Sequence, residues 1–176
     1  MSAGRAPWTA GETFILITSI MVFISEEGKI HMTEMQITYR GVVHPWHCDI
    51  MGHMNVVWYV SKFDEAAWQF AAMMGLDNSY FIKKHMGIAA VQQNITYKSE
   101  ITAGSAVTVR SGVLEIKEKT VRIVHEMRND STGAVAAVMI LTVVHFNTQK
   151  RKSCPLPADI RKRGNEFMVQ YDGVER

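Results

Sequence analysis

The sequence predicts an α+β domain in which one long helix packs against a five-stranded antiparallel sheet. A single stretch of about five helical turns follows an early strand. Four segments rich in Val, Ile and Thr come after it, and only a few turn-forming residues separate them. Connections this short favour antiparallel pairing, because a parallel return needs a crossover of about a dozen residues. A helix layer against a sheet layer is a common way to bury one core.

Length and composition fit one globular domain. The chain has 176 residues, of which 47% are hydrophobic and 20% are charged. Its net charge of +2 is too small for a dedicated nucleic-acid-binding protein, which usually carries a clustered basic face. Cys48 and Cys154 form neither a disulfide framework nor a paired metal motif. We therefore expect a cytoplasmic protein without a nucleic-acid partner.

Residues 1–32 are expected to be an N-terminal extension of doubtful role. Their apolar run, Phe14–Ile24, is shorter than the roughly 20 residues that cross a bilayer. Its flanks do not suit a signal peptide, because only Arg5 is basic before it and no small-residue cleavage site follows. An extra strand, a degraded signal and sequence ahead of a later true start all remain open. We expect neither membrane insertion nor chemistry from this segment.

The first element of the domain is a strand over 34–43, followed by a loop that Pro45 and Gly52 punctuate. The long helix then runs from about Asn55 to Met74, and Gly75 suits its C-terminal cap. At 100° per residue, one apolar arc is predicted to face the core and one polar group to lie opposite. The arc contains Val57, Val60, Ala67, Trp68 and Ala71, and the polar group contains Lys62, Glu65 and Gln69.

The remaining four strands are predicted after a short helical stretch near 80–84. They cover 87–98, 106–116, 120–128 and 134–146. The last strand is apolar at nearly every position, so we expect it to lie centrally with both faces covered. These elements define a domain over 33–163, and a C-terminal tail over 164–176 follows.

The loop before the helix carries the candidate chemistry. Asp49, Gly52, His53 and Asn55 converge on a helix N-terminus, where free N–H groups and the helix dipole can bind developing negative charge. A carboxylate beside such donors suits acyl transfer, either as a nucleophile or as a base that activates water. The alternative is structural, with Asp49 capping the loop and Asn55 capping the helix.

This region resembles a known family motif. Residues 49–59 read DIMGHMNVVWY and residues 63–66 read FDEA. They are similar to the pattern Asp-x-x-Gly-His-(Val/Met)-Asn-Asn-x-x-Tyr of the hot-dog-fold acyl-CoA thioesterases of the 4-hydroxybenzoyl-CoA thioesterase type. The resemblance extends over about 35–158. It implies a long central helix wrapped by a five-stranded antiparallel sheet, and hydrolysis of acyl-CoA without a metal or other cofactor.

The resemblance also implies residue roles. Asp49 matches the family's catalytic carboxylate, and the backbone N–H near Val56 matches its oxyanion donor. Val56 replaces the family's frequent second asparagine, which leaves only the backbone for a role at that position. Gly52 would let the substrate approach the backbone, and His53 and Asn55 would orient neighbouring groups.

Asp64 and three polar residues of the second strand are further candidates. Asp64 falls on the predicted apolar arc, within about 20° of Val57, and either supports the site or bonds structurally to the neighbouring loop. Gln92, Gln93 and Asn94 interrupt an apolar strand. In a hot-dog dimer, whose active site lies between subunits, this strand could present a polar group to the substrate; cross-strand hydrogen bonding is the alternative.

The substrate implied by the resemblance is an acyl-CoA ester. A longer stretch around the motif is similar to the members associated with carnitine catabolism, which implies betainyl-CoA. A quaternary ammonium group prefers aromatic faces, which Trp46, Trp58, Tyr59 and Trp68 would supply unless they are core residues. A non-catalytic acyl-thioester binding or sensing module on the same fold is the alternative function.

Two basic runs, 150–152 and 161–163, are candidate ligands for the CoA phosphates, although solvated charged ends have the same composition. His44, His47, Asp49 and His53 are acceptable zinc ligand types, but Pro45 interrupts any regular face, so we expect no metal. An isolated protomer of this fold leaves one sheet edge open and half a site, which predicts a homodimer or a homotetramer.

Overall fold

A computed structural model of the chain describes residues 34–172 and, further upstream, two short strands, β1 (Leu16–Ile17) and β2 (Ile20–Met21). These two strands pair antiparallel with each other. The rest of the expected N-terminal extension lies outside the described residues. No helix within the described ranges is long and apolar enough to cross a membrane.

Five long antiparallel strands and one short strand form the main sheet. They are β3 (Gln36–Val42), β4 (Met86–Tyr97), β5 (Ala106–Ile116), β6 (Thr120–Asn129), β7 (Val135–Asn147) and β8 (Lys152–Ser153). Their order across the sheet is β3-β5-β6-β7-β4, and β8 pairs with the end of β7. The five predicted strands are therefore present, with β7 inside the sheet as expected. The two-residue β8 was not predicted.

Within residues 34–172, three α-helices accompany the sheet: α1 (Val56–Met73), α2 (Asn78–Lys84) and α3 (Ala158–Asn165). The 18 residues of α1 give it a length of about 27 Å. Gly75 follows its last turn with a φ of +90°, a conformation that strains any residue with a Cβ. The predicted ends of α1 are thus correct to within a residue, whereas α3 was not predicted.

The buried face of α1 differs from the predicted apolar arc. Its buried side chains are Tyr59, Lys62, Phe63, Ala66, Phe70 and Ala71, whereas Val57, Val60 and Trp68 are exposed. The expectation that these three residues face the core is therefore wrong. The helix has apolar residues on two sides, and the side that carries Tyr59, Phe63 and Phe70 packs on the sheet.

Lys62 was expected on the solvent side, and it is instead buried. Its ammonium group donates a hydrogen bond to the Tyr39 hydroxyl at 2.9 Å and lies 5.1 Å from the centre of that ring. The aliphatic stem of a lysine packs against apolar surface when the charged end finds such a partner.

Two hydrophobic clusters cover the two faces of the sheet. The larger lies between α1 and the sheet, and the smaller is formed by Val124, Val138, Ile140 and Val169. This second cluster explains why β7 is apolar on both faces. Val169 is buried, and the Tyr171 hydroxyl donates a hydrogen bond to Glu126 at 2.7 Å. The predicted boundary at residue 163 thus falls inside α3, and the chain beyond it still packs on the sheet.

A polar network crosses the larger cluster. The Thr38 and Ser111 hydroxyl oxygens are 2.6 Å apart, and the Ser111 oxygen is 2.6 Å from Nδ1 of His125. Nε2 of His125 has no hydrogen-bond partner among the described residues. Complete burial lowers the pKa of this imidazole to about 3, because a buried site disfavours the charged form.

Candidate active site

The loop between β3 and α1 is closed by backbone hydrogen bonds. A 3-10 turn covers Pro45–His47, and the Asn55 N–H donates to the carbonyl of His47 at 2.9 Å. Asp49 and His53 are joined by a hydrogen bond of 3.2 Å from the Asp49 N–H to the His53 carbonyl. The chain therefore turns back on itself, and Asp49 comes close to the start of α1.

Gly52 makes this reversal possible. Its φ is +83°, and no heavy atom lies within 4 Å of the position that a Cβ would occupy. The first property requires glycine, because other residues are strained in the left-handed region. The second leaves the backbone beside Asp49 open, and the approach of a substrate there stays a prediction.

Both oxygens of the Asp49 carboxylate accept hydrogen bonds. Oδ1 accepts from the Met51 N–H at 2.9 Å, and Oδ2 accepts from the Asn55 side-chain amide at 2.9 Å. The amide of Asn55, and after it the Met51 N–H, hold the pKa of Asp49 below its usual value. The carboxylate is therefore ionised at neutral pH. Each oxygen keeps lone pairs for a second partner.

Asn55 links this carboxylate to the helix. It is the N-cap of α1, and its side-chain oxygen accepts from the Val57 N–H at 3.1 Å. Its backbone carbonyl accepts from the Trp58 N–H at 3.0 Å. No acceptor within residues 34–172 takes the Val56 N–H. An unoccupied donor thus lies at the positive end of the helix dipole, one residue from the amide that holds Asp49.

His53 contributes its backbone to the loop rather than its ring. Nε2 of His53 lies 3.7 Å from a carboxylate oxygen of Glu100, a partner that sequence reasoning did not identify. The role of the Met51 N–H was also missed, because any residue supplies a backbone donor. The one signal for it was an aspartate two positions earlier, a common start of an Asx turn.

The predicted aromatic residues have different surroundings. Trp46 stacks on His44 with ring centres 4.3 Å apart, and Trp58 packs on His47 at 4.3 Å. Burial, followed by the charges of Lys62 and His44, lowers the pKa of His47. Within residues 34–172, no three His, Cys, Asp or Glu side chains are grouped so that they could hold a metal ion.

Tyr59 is a core residue, and its hydroxyl lies 3.4 Å from the carbonyl of Ser99. Asp64 is exposed on α1, about 12 Å along the helix axis from Val56. It is therefore not part of the Asp49 cluster of its own protomer, and its catalytic role stays a prediction. Trp68 lies one turn further along the same side of α1.

Gln92, Gln93 and Asn94 lie on β4, at one edge of the sheet, and are exposed. Within one protomer they make no hydrogen bond or ring contact with the Asp49 loop in the described part of the chain. Their contact with substrate stays a prediction.

Both basic runs lie far from Asp49. Nη1 of Arg163 is 2.8 Å from the position that a Cβ on Gly75 would take, so α3 packs against the C-terminal end of α1. The run 150–152 follows Thr148, which donates two hydrogen bonds to the carbonyl of His85 just after α2. The whole length of α1 separates these cations from the Asp49 carboxylate of the same protomer.

Comparison with known proteins identifies relatives of this arrangement. A sequence profile of the thioesterase-like superfamily matches residues 43–164. The chain is 23% identical over 166 residues to the L-carnitine dehydrogenase/betainyl-CoA thioesterase of Agrobacterium fabrum, covering 94% of this chain and 34% of that protein. It thus spans about a third of that relative's length. It is 23% identical over 134 residues to the long-chain acyl-CoA thioesterase FadM of Escherichia coli, covering 74% and 95% of the two chains.

A solved structure has the same architecture. A Staphylococcus aureus protein in complex with CoA superimposes with a TM-score of 0.73 at 17% identity, over 82% of this chain and 94% of the other. The predicted hot-dog fold is therefore confirmed. The family profile covers more than half of the sequence and includes the Asp49 loop, α1 and four of the five long strands, β4 to β7. The chain belongs to the thioesterase-like superfamily.

Proposed function

We propose that this protein hydrolyses acyl-CoA thioesters to the free carboxylic acid and CoA. The observation that carries the proposal is the pairing of an ionised Asp49 carboxylate with the unoccupied N–H of Val56, both fixed by Asn55. Family membership supports the reaction type. An anion beside a free donor is the combination that thioester cleavage needs, because negative charge moves onto the carbonyl oxygen as the attack proceeds.

In one route Asp49 acts as a general base. It removes a proton from water while the water oxygen bonds to the thioester carbon, and the Val56 N–H donates to the resulting oxyanion. The oxyanion then collapses, the carbon–sulfur bond breaks, and the CoA thiolate leaves and is protonated. In the other route an Asp49 oxygen itself bonds to the carbonyl carbon. CoA leaves first, and water then cleaves the mixed anhydride.

Transfer of an oxygen isotope into Asp49 would identify the second route. A single turnover in ¹⁸O-labelled water can place the label in the Asp49 carboxylate only if the anhydride forms and water attacks its aspartyl carbon. The peptide that contains Asp49 would then be heavier in a mass spectrum. The general-base route puts the label only in the released acid.

We propose a homodimer as the working unit, with a homotetramer as the larger alternative. β4 is an edge strand whose residues 90–94 are exposed, and an unprotected strand edge of this kind pairs readily with another strand. Pairing there would bring Gln92 or Asn94 of one copy towards the site of the other. The two free cysteines suit the reducing cytoplasm in which we place this activity.

The acyl group that the sequence resemblance suggests is betaine, which would place the protein in carnitine metabolism. Trp46, with a relative exposure of 67%, offers an aromatic face close to the Asp49 loop. A non-catalytic acyl-thioester binding module is the second candidate function. One observation favours it: the Asp49 carboxylate already accepts two hydrogen bonds that stabilise the loop.

The test is thiol release from betainyl-, butyryl-, benzoyl- and palmitoyl-CoA, with Asp49→Asn assayed beside the parent. We expect the variant to lose about 10²- to 10⁴-fold in kcat while binding substrate as tightly. Glu65→Gln is the matched control, because it removes an exposed carboxylate of α1 that makes no contact with the Asp49 loop in the described part of the chain. Equal activity of parent and Asp49→Asn would contradict the catalytic role of Asp49, and no hydrolysis of any ester would favour the binding module.

A further inference from the structure

A cavity of about 450 Å³ lies against the outward side of α1, at the end of the helix opposite Asp49. Its apolar lining comes from α1, α2 and the start of β4: Trp68, Ala72, Leu76, Phe81, Met86 and Ile88. Asp77, at its rim, already caps α2 by accepting from the Tyr80 N–H at 2.7 Å. The volume and apolar character are typical of a small-molecule site.

The outward side of α1, which carries Val57, Val60 and Asp64, forms a path between the Asp49 loop and this cavity. Val57 and Val60 are exposed on the side of α1 that leads from the helix N-terminus to Trp68. On the helical wheel, Val60 and Ala67 lie between Asp64 and the buried face, so a ligand can pass over them with the Asp64 carboxylate at its outer rim. Exposed apolar side chains along one side of a helix mark a surface that is covered in use.

The length of the path indicates how long an acyl group must be to reach the cavity. Val56 and Trp68 are 12 positions apart on α1, which is about 18 Å along the axis. An extended chain advances about 1.2 Å per bond, by analogy with a backbone that covers roughly 3.6 Å in three bonds. About 15 bonds therefore separate a carbonyl at the Val56 N–H from Trp68. A compact acyl group such as betaine ends far short of the cavity.

We propose that this path and cavity bind the distal part of a long, unbranched acyl chain, so that long-chain acyl-CoA esters are the preferred substrates. The inference rests on the proposed function, since it places the thioester at Asp49 and Val56. Burial of each further methylene group against apolar side chains then strengthens binding. The gain is largest for chains that extend along the helix as far as Trp68.

The first experiment measures kcat/KM against chain length, from butyryl- through octanoyl- to palmitoyl-CoA, with betainyl-CoA as the compact cationic ester. We expect palmitoyl-CoA to exceed butyryl- and betainyl-CoA by at least about 10-fold. Ala72→Trp fills the cavity, and Trp68→Gln makes its wall polar. Each should lower kcat/KM for palmitoyl-CoA by about 10-fold or more and change that for butyryl-CoA less than about twofold.

Ile82→Gln is the matched control, because Ile82 is exposed on α2 and does not line the cavity. Equal efficiency with short and long esters, preference for betainyl-CoA, or an equal loss on all esters in Ala72→Trp would overturn the proposal. A change in the mass of the assembly in both cavity variants would also overturn it, since the cavity would then be a contact between copies.

Binding separates this proposal from the proposed hydrolysis. The Asp49→Asn variant is titrated with palmitoyl-CoA and butyryl-CoA in a calorimeter, with and without Ala72→Trp. Tighter binding of palmitoyl-CoA that Ala72→Trp abolishes supports the acyl path even if the parent hydrolyses nothing. Equal affinities contradict the path and leave the proposed hydrolysis intact.

Discussion

Asn55 combines two tasks that are usually divided between residues. Its amide nitrogen holds Asp49, and its oxygen caps α1 through the Val57 N–H. Serine or threonine would cap the helix equally well, but neither has a separate amide N–H group that could donate to the carboxylate. The choice of asparagine is therefore explained by Asp49 rather than by the helix.

Asn55→Asp tests this division of tasks. Aspartate keeps the cap but places a second carboxylate beside Asp49, where the amide donor stood 2.9 Å from Oδ2. The Asn55 hydrogen bond is the largest cause of the lowered pKa of Asp49, so its replacement raises that pKa. Because protonated Asp49 is inactive in either route, the acidic limb of the profile of kcat/KM against pH should move to higher pH.

Asn55→Ser is the companion variant, since it keeps a cap and adds no charge. It should move the acidic limb in the same direction but by less. An unchanged limb in both variants would mean that Asn55 does not set the ionisation of Asp49. Thermal unfolding of the two proteins checks that α1 is still capped.

At the scale of elements, α1 and β4 have faces that one protomer does not bury. The outward side of α1 carries Val57, Val60 and Trp68, and β4 is exposed from residue 90 to residue 94. Apolar and edge surfaces of this kind are covered in stable proteins by a ligand or by another chain. We assign the first surface to the acyl chain and the second to the partner copy.

Val91→Lys tests the second assignment. Lysine on an edge strand opposes pairing, so we expect the variant to sediment as a monomer or to dissociate at concentrations at which the parent is a dimer. Ile82→Lys is the control, because Ile82 is as exposed as Val91, at 65% against 60%, and lies on α2. A dimer of unchanged stability in Val91→Lys would exclude β4 as the contact.

The elements that sequence alone predicted are those with strong local signals. The strands have β-branched residues between turn residues, and α1 begins at an asparagine cap and ends before Gly75. The buried face of α1 could not be predicted, because both of its sides are apolar and the choice depends on which rings fit the sheet. The burial of Lys62 depends on Tyr39, 23 positions away, whose hydroxyl accepts a hydrogen bond from the Lys62 ammonium group.

The same distinction between local and long-range signals applies to the candidate site. Asp49, Gly52 and Asn55 belong to one short segment, so their grouping follows from local chain geometry. The position of Glu100 and the proposed acyl path depend on residues that are distant in the sequence. No local sequence pattern predicts them. The eight residues of α3 include too few apolar side chains to show a helical hydrophobic periodicity.

For the whole molecule, the buried imidazole of His125 makes stability depend on pH. Its folded-state pKa of about 3 is below the roughly 6.5 of an unfolded chain. Below pH 6.5 the unfolded state therefore binds a proton that the folded state excludes, and the folded state loses stability as the pH falls. Above that pH this group makes no difference.

His125→Gln removes the titration and keeps a partner for Ser111. Between pH 7.5 and pH 5.0, we expect the free energy of unfolding of the parent to fall by about 2 kcal/mol more than that of the variant. Urea unfolding at the two pH values measures the difference. If the free energy of unfolding fell equally in the two proteins, the folded state would bind a proton at His125 as readily as the unfolded state does.

The contact between Tyr171 and Glu126 has a practical consequence for anyone who produces this protein. The family profile ends at residue 164, whereas Val169 and Tyr171 cover the outer face of the sheet. A shortened chain that ends at residue 164 would expose Val124, Val138 and Ile140 to water. Such a product would tend to aggregate during purification, and its failure could be mistaken for an inactive enzyme.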